Sequence, residues 1–503
     1  MDIKEILSRW QDYEFSSERH FMQKGVDYFN CKNDITLPEN GRYETSLNPQ
    51  NLDVVKPAKM SDRRISHNFF KFIINQQVAY GIARRFVLTT SAIEELESKT
   101  IFDKIRSKIF KSSKPSKEKF EAFNILVSKT FEKKYDKFIN CCINAPKTGI
   151  GWLYVYYNDY GELDFLNMNP VELLPIWGDE EEKQYLEEML RKYKVLEYSP
   201  TGDKQWVTYI EEYGYETIKR YRYTPEINNA EPELIEERAY FSGGDTHFPF
   251  IPFIPIKYNG DLTSLLQDIK ELIDGYDKVQ SEIVDNIVDI PNSLTFVSGF
   301  DGTNQEEVDA FVRNVKIHRF MFAPEGADAK GITAEQNIEQ MELTLTRLRK
   351  DIFEIGGGVD TQNKDLKDTS GVALRWSYSN IEEKFNIWAL QLEKAIRQII
   401  DLILWDNEER GGVDFSDVDY DIIFNTDSII NERETVEILQ LSKGMISPET
   451  IAINHPYTKD AEKELKGMRE ELEFEANLGS DNSTSDNTVS DHNTNEQISG
   501  SQS

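Results

Sequence analysis

The side chains of this 503-residue chain that could do chemistry are mostly carboxylates, with 89 Asp and Glu against 58 Lys and Arg. Two carboxylates can serve as general acid and base when they are held at a set separation with unequal pKa values. Spacing marks no pair above the rest, which leaves open a soluble acidic α+β hydrolase using paired carboxylates. The six histidines are scattered, without metal-ligand spacing. Cys141 and Cys142 are neighbours in a helical pattern and read as core residues rather than nucleophiles. The run Gly356-Gly357-Gly358-Val359-Asp360-Thr361-Gln362-Asn363-Lys364 opens with three glycines. A phosphate-cradling loop needs a lysine and a hydroxyl next, and Val359-Asp360 stand there instead. HExxH, CxxC and GxSxG are absent too. These residues point away from catalysis, from a metal and from a bound cofactor.

Composition sets the frame in which they act. Hydrophobic content of 39% and aromatic content of 12% describe a folded chain, long enough for about two to four domains. The net charge of −31 argues against a tight hold on nucleic acid, which depends on lysine and arginine neutralising phosphates. An acidic surface still suits a protein along which DNA slides, because each lasting phosphate contact is a brake. The longest apolar run, residues 399–405, is interrupted by Asp401 and too short to span a bilayer. Met1-Asp2-Ile3-Lys4-Glu5 starts acidic, without the apolar stretch of a signal peptide. Three cysteines in no paired pattern suit synthesis in a reducing cytoplasm. From about Asn477 on, polar repetition predicts disorder.

The positioning elements follow from periodicity. A helix is expected from about Ser66, entered through Arg63-Arg64-Ile65-Ser66-His67, with His67 as a helix-start residue. Residues 107–119 are locally basic, which reads as a solvated face rather than a nucleic-acid groove. One helix is expected over residues 120–143. Between Gly151 and Tyr258 the period becomes two. A hairpin turns at Asn158-Asp159-Tyr160-Gly161, and strands lie near 206–210 and 217–223. Pro249, Pro252 and Pro255 limit the next segment to an edge or an extended connection, and the tyrosines should cross-pair on the sheet.

A long helix over residues 262–288 carries an apolar stripe from Leu262 to Ile287. Its other face holds Asp268, Glu271, Asp274, Asp277, Glu282 and Asp285 against Lys270 and Lys278. An insert follows, with a strand at residues 294–297, a capping box at Thr303-Asn304-Gln305-Glu306 and an exit strand at residues 318–322. A second capping box, Thr333-Ala334-Glu335-Gln336, starts the returning helix. After the glycine loop a third long helix begins near Ser370, with Phe385, Trp388, Leu392, Ile396, Ile399 and Ile403 at steps of three and four. A strand at residues 419–424 precedes a helical end, where Ser447-Pro448-Glu449 caps a helix.

This order of parts resembles the portal proteins of tailed double-stranded-DNA bacteriophages, of the long-tailed siphophage type. Locally, Asp274-Gly275-Tyr276-Asp277, Gly356-Gly357-Gly358 and Gly444-Met445-Ile446-Ser447-Pro448-Glu449-Thr450 look most like the family. The resemblance implies an α+β portal fold. Residues 1–260 would be the N-terminal region and wing, 261–288 the first stem helix, 289–332 the clip and 333–355 the second stem helix. Residues 356–370 would be the tunnel loop, 371–425 a long kinked wing helix and return strand, 426–476 the crown and 477–503 a disordered tail.

Functionally the resemblance implies a homo-oligomeric ring of about twelve subunits at one capsid vertex of the virion, made in the host bacterial cytoplasm. It would seed procapsid assembly with scaffolding and major capsid proteins and dock the terminase large subunit, which carries the ATPase. It would pass double-stranded DNA without reading its sequence, and hold it with head-completion or adaptor proteins. No enzymatic activity, cofactor, metal or membrane is implied. Gln362, Asn363, Lys364 and Lys367 would lie nearest the DNA, with Gly356, Gly357 and Gly358 as the loop's hinge. In the clip, Arg313, Lys316, His318 and Arg319 form a basic group suited to an acidic partner or the neighbouring subunit. Subunit contacts are expected to use the apolar stem stripe and the face from Phe385 to Ile403.

Overall fold

The computed structural model describes residues 2–37, 62–90, 117–179, 181, 183, 185–198, 202–223, 232–241, 247–289, 294–298, 328–332, 338–362, 371–426, 436, 439–455, 458 and 464–470. Two compact units emerge. One comprises residues 1–367 and 376–427, the other 368–375 and 428–503.

The first unit is an α+β body. Helices α1 (Ile3–Glu14), α2 (Ser17–Phe29) and α3 (Phe69–Gly81) open it, followed by strand β1 (Val87–Thr89) and helices α4 (Lys117–Glu132) and α5 (Tyr135–Thr148). The single helix expected over residues 120–143 is thus two. Lys134 leaves helical geometry at φ −130°, and its ammonium donates to the carbonyl of Leu163. The break lets α4 pack Phe123 against Tyr420, with ring centroids 5.2 Å apart, while α5 lies on the sheet and buries Cys141 and Cys142 completely.

That sheet has the order β3-β2-β9, from β2 (Ile150–Tyr157), β3 (Leu163–Met168) and β9 (Phe253–Lys257). The hairpin closes as expected. The side-chain oxygen of Asn158 accepts from the amides of Tyr160 and Glu162, both at 3.0 Å, and Gly161 takes φ +69°. The proline-bearing β9 occupies an edge, where Pro255 sits opposite Trp152 and its missing N–H leaves no gap in an inner ladder.

A second, five-stranded antiparallel sheet runs β4-β5-β6-β7-β8: β4 (Leu173–Trp177), β5 (Leu186–Tyr198), β6 (Lys204–Tyr213), β7 (Thr217–Tyr223) and β8 (Glu233–Ala239). The tyrosines do cross-pair. Tyr193 and Tyr209 are direct partners and stack at 5.7 Å, and Arg220 lies over the Tyr209 ring. One face of this sheet packs Trp177, Met189 and Tyr213 against Trp152 and Phe253. The other packs Leu190, Ile210 and Tyr221 against Ile6, Trp10 and Tyr13 of α1.

Three long helices complete the unit. The helix expected over residues 262–288, α6, spans Leu266–Asp289 and begins later than expected. Leu262 is forced to φ +57° by a turn in which Asn259 bonds the backbone of Thr263 through both ends of its carboxamide. The amide of Leu265 then goes to the Pro146 carbonyl at 3.0 Å rather than into a helix. Strands β10 (Leu294–Ser298) and β11 (Asp328–Ile332) pair antiparallel beyond α6. The expected exit strand at 318–322 and both capping boxes of the insert lie outside the described residues.

Helix α7 (Ile338–Gly356) returns along α6, with the Leu348 side chain 3.9 Å from where a methyl on Gly275 would stand. Helix α8 (Gly371–Glu409) runs unbroken for 39 residues. Its stripe of Phe385, Trp388, Leu392, Ile396, Ile399 and Ile403 is the centre of the main core, each residue at most 3% exposed. Strand β12 (Asp421–Ile423) follows and pairs with β1.

In the second unit, α9 (Pro448–Asn454) has the expected start. The Ser447 hydroxyl accepts from the amide of Thr450 at 3.2 Å, with proline in the first turn.

Helix α3 ends against this core without room for a side chain, since a methyl group on Gly81 would fall onto the Phe385 ring. In an open helix, Gly→Ala stabilises by about 1 kcal/mol. Overpacking here costs about 1–3 kcal/mol, so the clash should win. Gly81→Ala is expected to lower the thermal unfolding midpoint; a rise would mean that α3 and α8 do not approach this closely.

Candidate functional site

Helix α6 carries polar residues where an amphipathic helix would carry leucines. Asp277, Ser281 and Asp285 are 0%, 5% and 2% exposed. Spaced four apart, they form one row on the helix. Along that row lies the extended segment 62–67, and every second amide of it finds an acceptor there. The Arg63 N–H donates to both carboxylate oxygens of Asp285, at 3.0 and 3.2 Å. The Ile65 N–H donates to Ser281 Oγ at 3.0 Å, and the His67 N–H to Asp277 Oδ1 at 3.0 Å. An extended chain advances about 6.6 Å in two residues and a helix about 6 Å in four, so the two repeats match.

Asp277 is the most heavily used acceptor. Besides the His67 amide it meets the His67 ring nitrogen Nδ1 at 2.7 Å, and its Oδ2 accepts from Asn33 Nδ2 at 2.6 Å. Burial pushes its carboxyl up from the ordinary value, against the pull of the His67 and Asn33 contacts. His67 is therefore more than a helix-start residue, since its ring also stands 4.8 Å from Tyr276 and 5.7 Å from Phe69.

Two turns earlier, Lys270 bridges Asp34 at 2.9 Å and Asp274 at 2.6 Å. Tyr28 donates to Asp274 and Lys24 pairs with Asp34. Burial works against the charge on Asp34, but the two lysines outweigh it and hold the carboxyl below its ordinary range. The acidic stem face expected to keep DNA from sticking is thus largely spent inside the chain. Asp274, Asp277 and Asp285 hold α2 and the 62–67 segment, while Glu271, its side chain 92% exposed, faces water.

At the end of α7 the three glycines form a helix stop. Gly357 takes φ +65°, the Gly358 N–H reaches the Phe353 carbonyl at 2.8 Å and the Gly357 N–H reaches that of Glu354 at 3.4 Å. These are the two bonds of a Schellman motif. All three glycines are buried. A methyl on Gly358 would meet Ile73 at 2.9 Å and Gln76 at 3.0 Å, and one on Gly356 would meet Ile73 at 2.9 Å. In place of a free hinge, the structure shows a packed base.

Two glutamines of α3 hold that base. Gln76 accepts from the Val359 N–H and donates to the Val359 carbonyl, both at 2.9 Å. Gln77 donates to the Gly356 carbonyl at 2.8 Å and accepts from the Tyr258 hydroxyl at 3.2 Å. Asp360 is gripped by both arms of the Arg349 guanidinium at 2.7 Å. Burial opposes that carboxylate's charge, and the Arg349 fork with the Gln362 amide keeps its pKa below the ordinary value.

Of the residues assigned from sequence, Gln362 is exposed at the end of this turn, its N–H on Asp360 Oδ1 at 3.0 Å. Asn363, Lys364 and Lys367 lie outside the described residues, as do Arg313, Lys316, His318 and Arg319 of the insert. The expected subunit-contact faces need correction. The stem residues Leu265, Leu266, Ile269 and Ile273 and the Phe385–Ile403 stripe are all buried within the chain itself. The sequence reading missed the acceptor row, although its signal, Asp-x-x-x-Ser-x-x-x-Asp on a stem helix, was present.

Among the described residues no group of His, Cys, Asp and Glu could hold a metal ion, and no helix is long and apolar enough to cross a membrane. Polar side chains here go to bracing long helices against an α+β body, the construction of a structural subunit. The family model for phage portal proteins of the SPP1 Gp6-like type matches residues 9–477, and the chain belongs to that family. It is 24% identical over 475 residues to the portal protein of Bacillus phage SPP1, covering 91% of this chain and 86% of that one. It is 23% identical over 481 residues to the portal protein of Clostridium phage phiCD119, covering 93% and 96%.

The acceptor row carries a clear ordering of effects. Asp277→Ala strands the His67 and Asn33 donors, at about 1–3 kcal/mol each. Ser281→Ala strands only the Ile65 amide, at about 1 kcal/mol. Denaturant titration should rank Asp277→Ala at about 3 kcal/mol or more, well above Ser281→Ala. Equal small losses would show that the 62–67 segment is not held by this row.

Proposed function

We propose that this chain is the subunit of a portal ring of about twelve copies at one vertex of a phage capsid. The ring nucleates procapsid assembly with scaffolding and major capsid proteins and docks the terminase motor. It passes the genome inward, and holds it with head-completion or adaptor proteins until ejection. Residues 261–288 and 333–355 are its stem, residues 289–332 its clip, residues 356–370 its channel loop, and residues 426–476 its crown.

The observation that supports assembly most directly is where apolar side chains meet water. On the stem, Ile287 and Leu343 are 57% and 70% exposed; on α8, Ile387 and Leu390 are 57% and 63% exposed. Each lies on a helix whose other side is already packed against its own chain. Covering such faces with a neighbouring copy, repeated around an axis, gains burial on both sides of every subunit.

Glu271 and the exposed part of Asp268 then keep negative charge on the stem. Beyond the packed glycine base, Lys364 and Lys367 offer exchangeable phosphate contacts, and Arg313, Lys316, His318 and Arg319 face an acidic partner or the next subunit. The hydrolase reading required a paired acid and base. Asp277, whose carboxyl is pushed up by burial, instead has its oxygens occupied by Asn33 and His67.

Native mass spectrometry with imaging of the purified protein tests the assembly. A closed ring of about twelve or thirteen copies with an axial hole is expected; a stable monomer or dimer at micromolar concentration would overturn it. Replacing Lys364 and Lys367 together with glutamate should leave rings intact and impair DNA packaging or retention. Normal packaging by that double variant would remove the lysines from the mechanism.

A further inference from the structure

One uninterrupted stretch of chain, residues 63–77, touches both helix α6 and the base of the loop that follows α7. Its first half is the extended segment whose amides at Arg63, Ile65 and His67 lie on the Asp285, Ser281 and Asp277 row of stem helix α6. Its second half is the start of α3, which ends in the glutamines that grip Gly356 and Val359. No other segment of the described chain makes both sets of bonds.

The chemistry of the second grip is unusual for a surface glutamine. The carboxamide of Gln76 presents a donor and an acceptor in one plane, and Val359 presents an N–H and a C=O to it. Gln76 therefore pairs with that residue as a neighbouring strand would. A loop backbone held this way cannot slide by one residue without losing both bonds. Gln77 is 1% exposed, and its two contacts leave its amide as the bridge between the loop base and Tyr258. On the far side, Lys384 of α8 covers Gly357 and pairs with Asp268 of α6 at 3.3 Å. Four helices thus meet at the point where the chain leaves for residue 363.

We propose that Gln76 and Gln77 are positioning residues for the channel loop, and that segment 63–77 couples the setting of stem helix α6 to the point from which that loop departs. The coupling is mechanical. A displacement of α6 along its axis pulls on three backbone amides, and the rigid α3 hands the displacement to Gly356 and Val359. The part of the loop held in place extends past the glycines to the Arg349–Asp360 pair. This inference rests on reading residues 356–370 as the channel loop.

The test uses assembled rings carrying Gln76→Met, which keeps side-chain length and removes both bonds. Amide exchange in the peptide covering residues 356–362 is expected to rise about tenfold, the equivalent of one lost hydrogen bond. Exchange in α6 and the thermal midpoint should stay near the parent's, and packaging should fall. Gln76→Glu, which keeps the acceptor for the Val359 amide, should lie between the two. Unchanged exchange would overturn the grip. Raised exchange with normal packaging would overturn the positioning role. If Gln76→Met does not assemble, Arg349→Lys opens the same base by breaking the fork on Asp360, with the same readouts and the same two overturning results. Normal packaging by the Lys364 and Lys367 double variant alongside raised exchange in Gln76→Met would remove the lysines from the mechanism while leaving the grip standing.

Discussion

A carboxylate with no exposure to water sits in the middle of helix α6, and the setting of that helix follows from it. Asp277 is worth burying only if its oxygens are met, because an ionised carboxylate without partners is among the most costly groups to desolvate. Asn33 and His67 meet them. Those two residues come from different parts of the chain, so the stem helix is held at once to the end of α2 and to the entry of α3. Rotating α6 by one residue would carry Asp277 about 100° around its axis and strand all three donors together. Leucines in the same row would have tolerated that rotation with modest loss.

The same residues explain what could be read in advance. The long helices were legible because their apolar residues recur at steps of three and four, and the hairpin because Asn158 to Gly161 carries its own turn chemistry. Strand β5 was not legible. Leu186 to Tyr198 is rich in leucine, glutamate, methionine, lysine and arginine, all good helix formers, and becomes a strand because β4 and β6 pair with it on both sides. Strand β8 hides for a related reason, since its exposed Glu233, Glu236, Glu237 and Arg238 suit a guarded sheet edge as well as a helix face. The 62–67 segment has no periodicity to find. Its amides are satisfied by side chains 210 to 222 residues away, which no local window contains.

The three glycines show how far residue type alone can mislead. Glycine permits both flexibility and close approach, and the sequence does not say which is in use. Ile73, Gln76 and Phe353 crowd around Gly358, and Lys384 covers Gly357, so close approach is what they serve here. Only Gly357 needs the left-handed conformation. The meaning of the motif was settled by α3, some 280 residues earlier, through Gln76 and Gln77.

Net charge needs the same care. The total of −31 suggested acidic walls along the stem, yet the stem's own carboxylates divide by function. Asp274, Asp277 and Asp285 are turned toward the chain and bonded by Lys270, Tyr28 and backbone amides. Glu271 and half-exposed Asp268 face water on this helix, and Glu282 is partly exposed. A repulsive surface built from so few groups is screened within about 10 Å at ordinary salt, so it discourages contact at the wall without opposing entry along an axis.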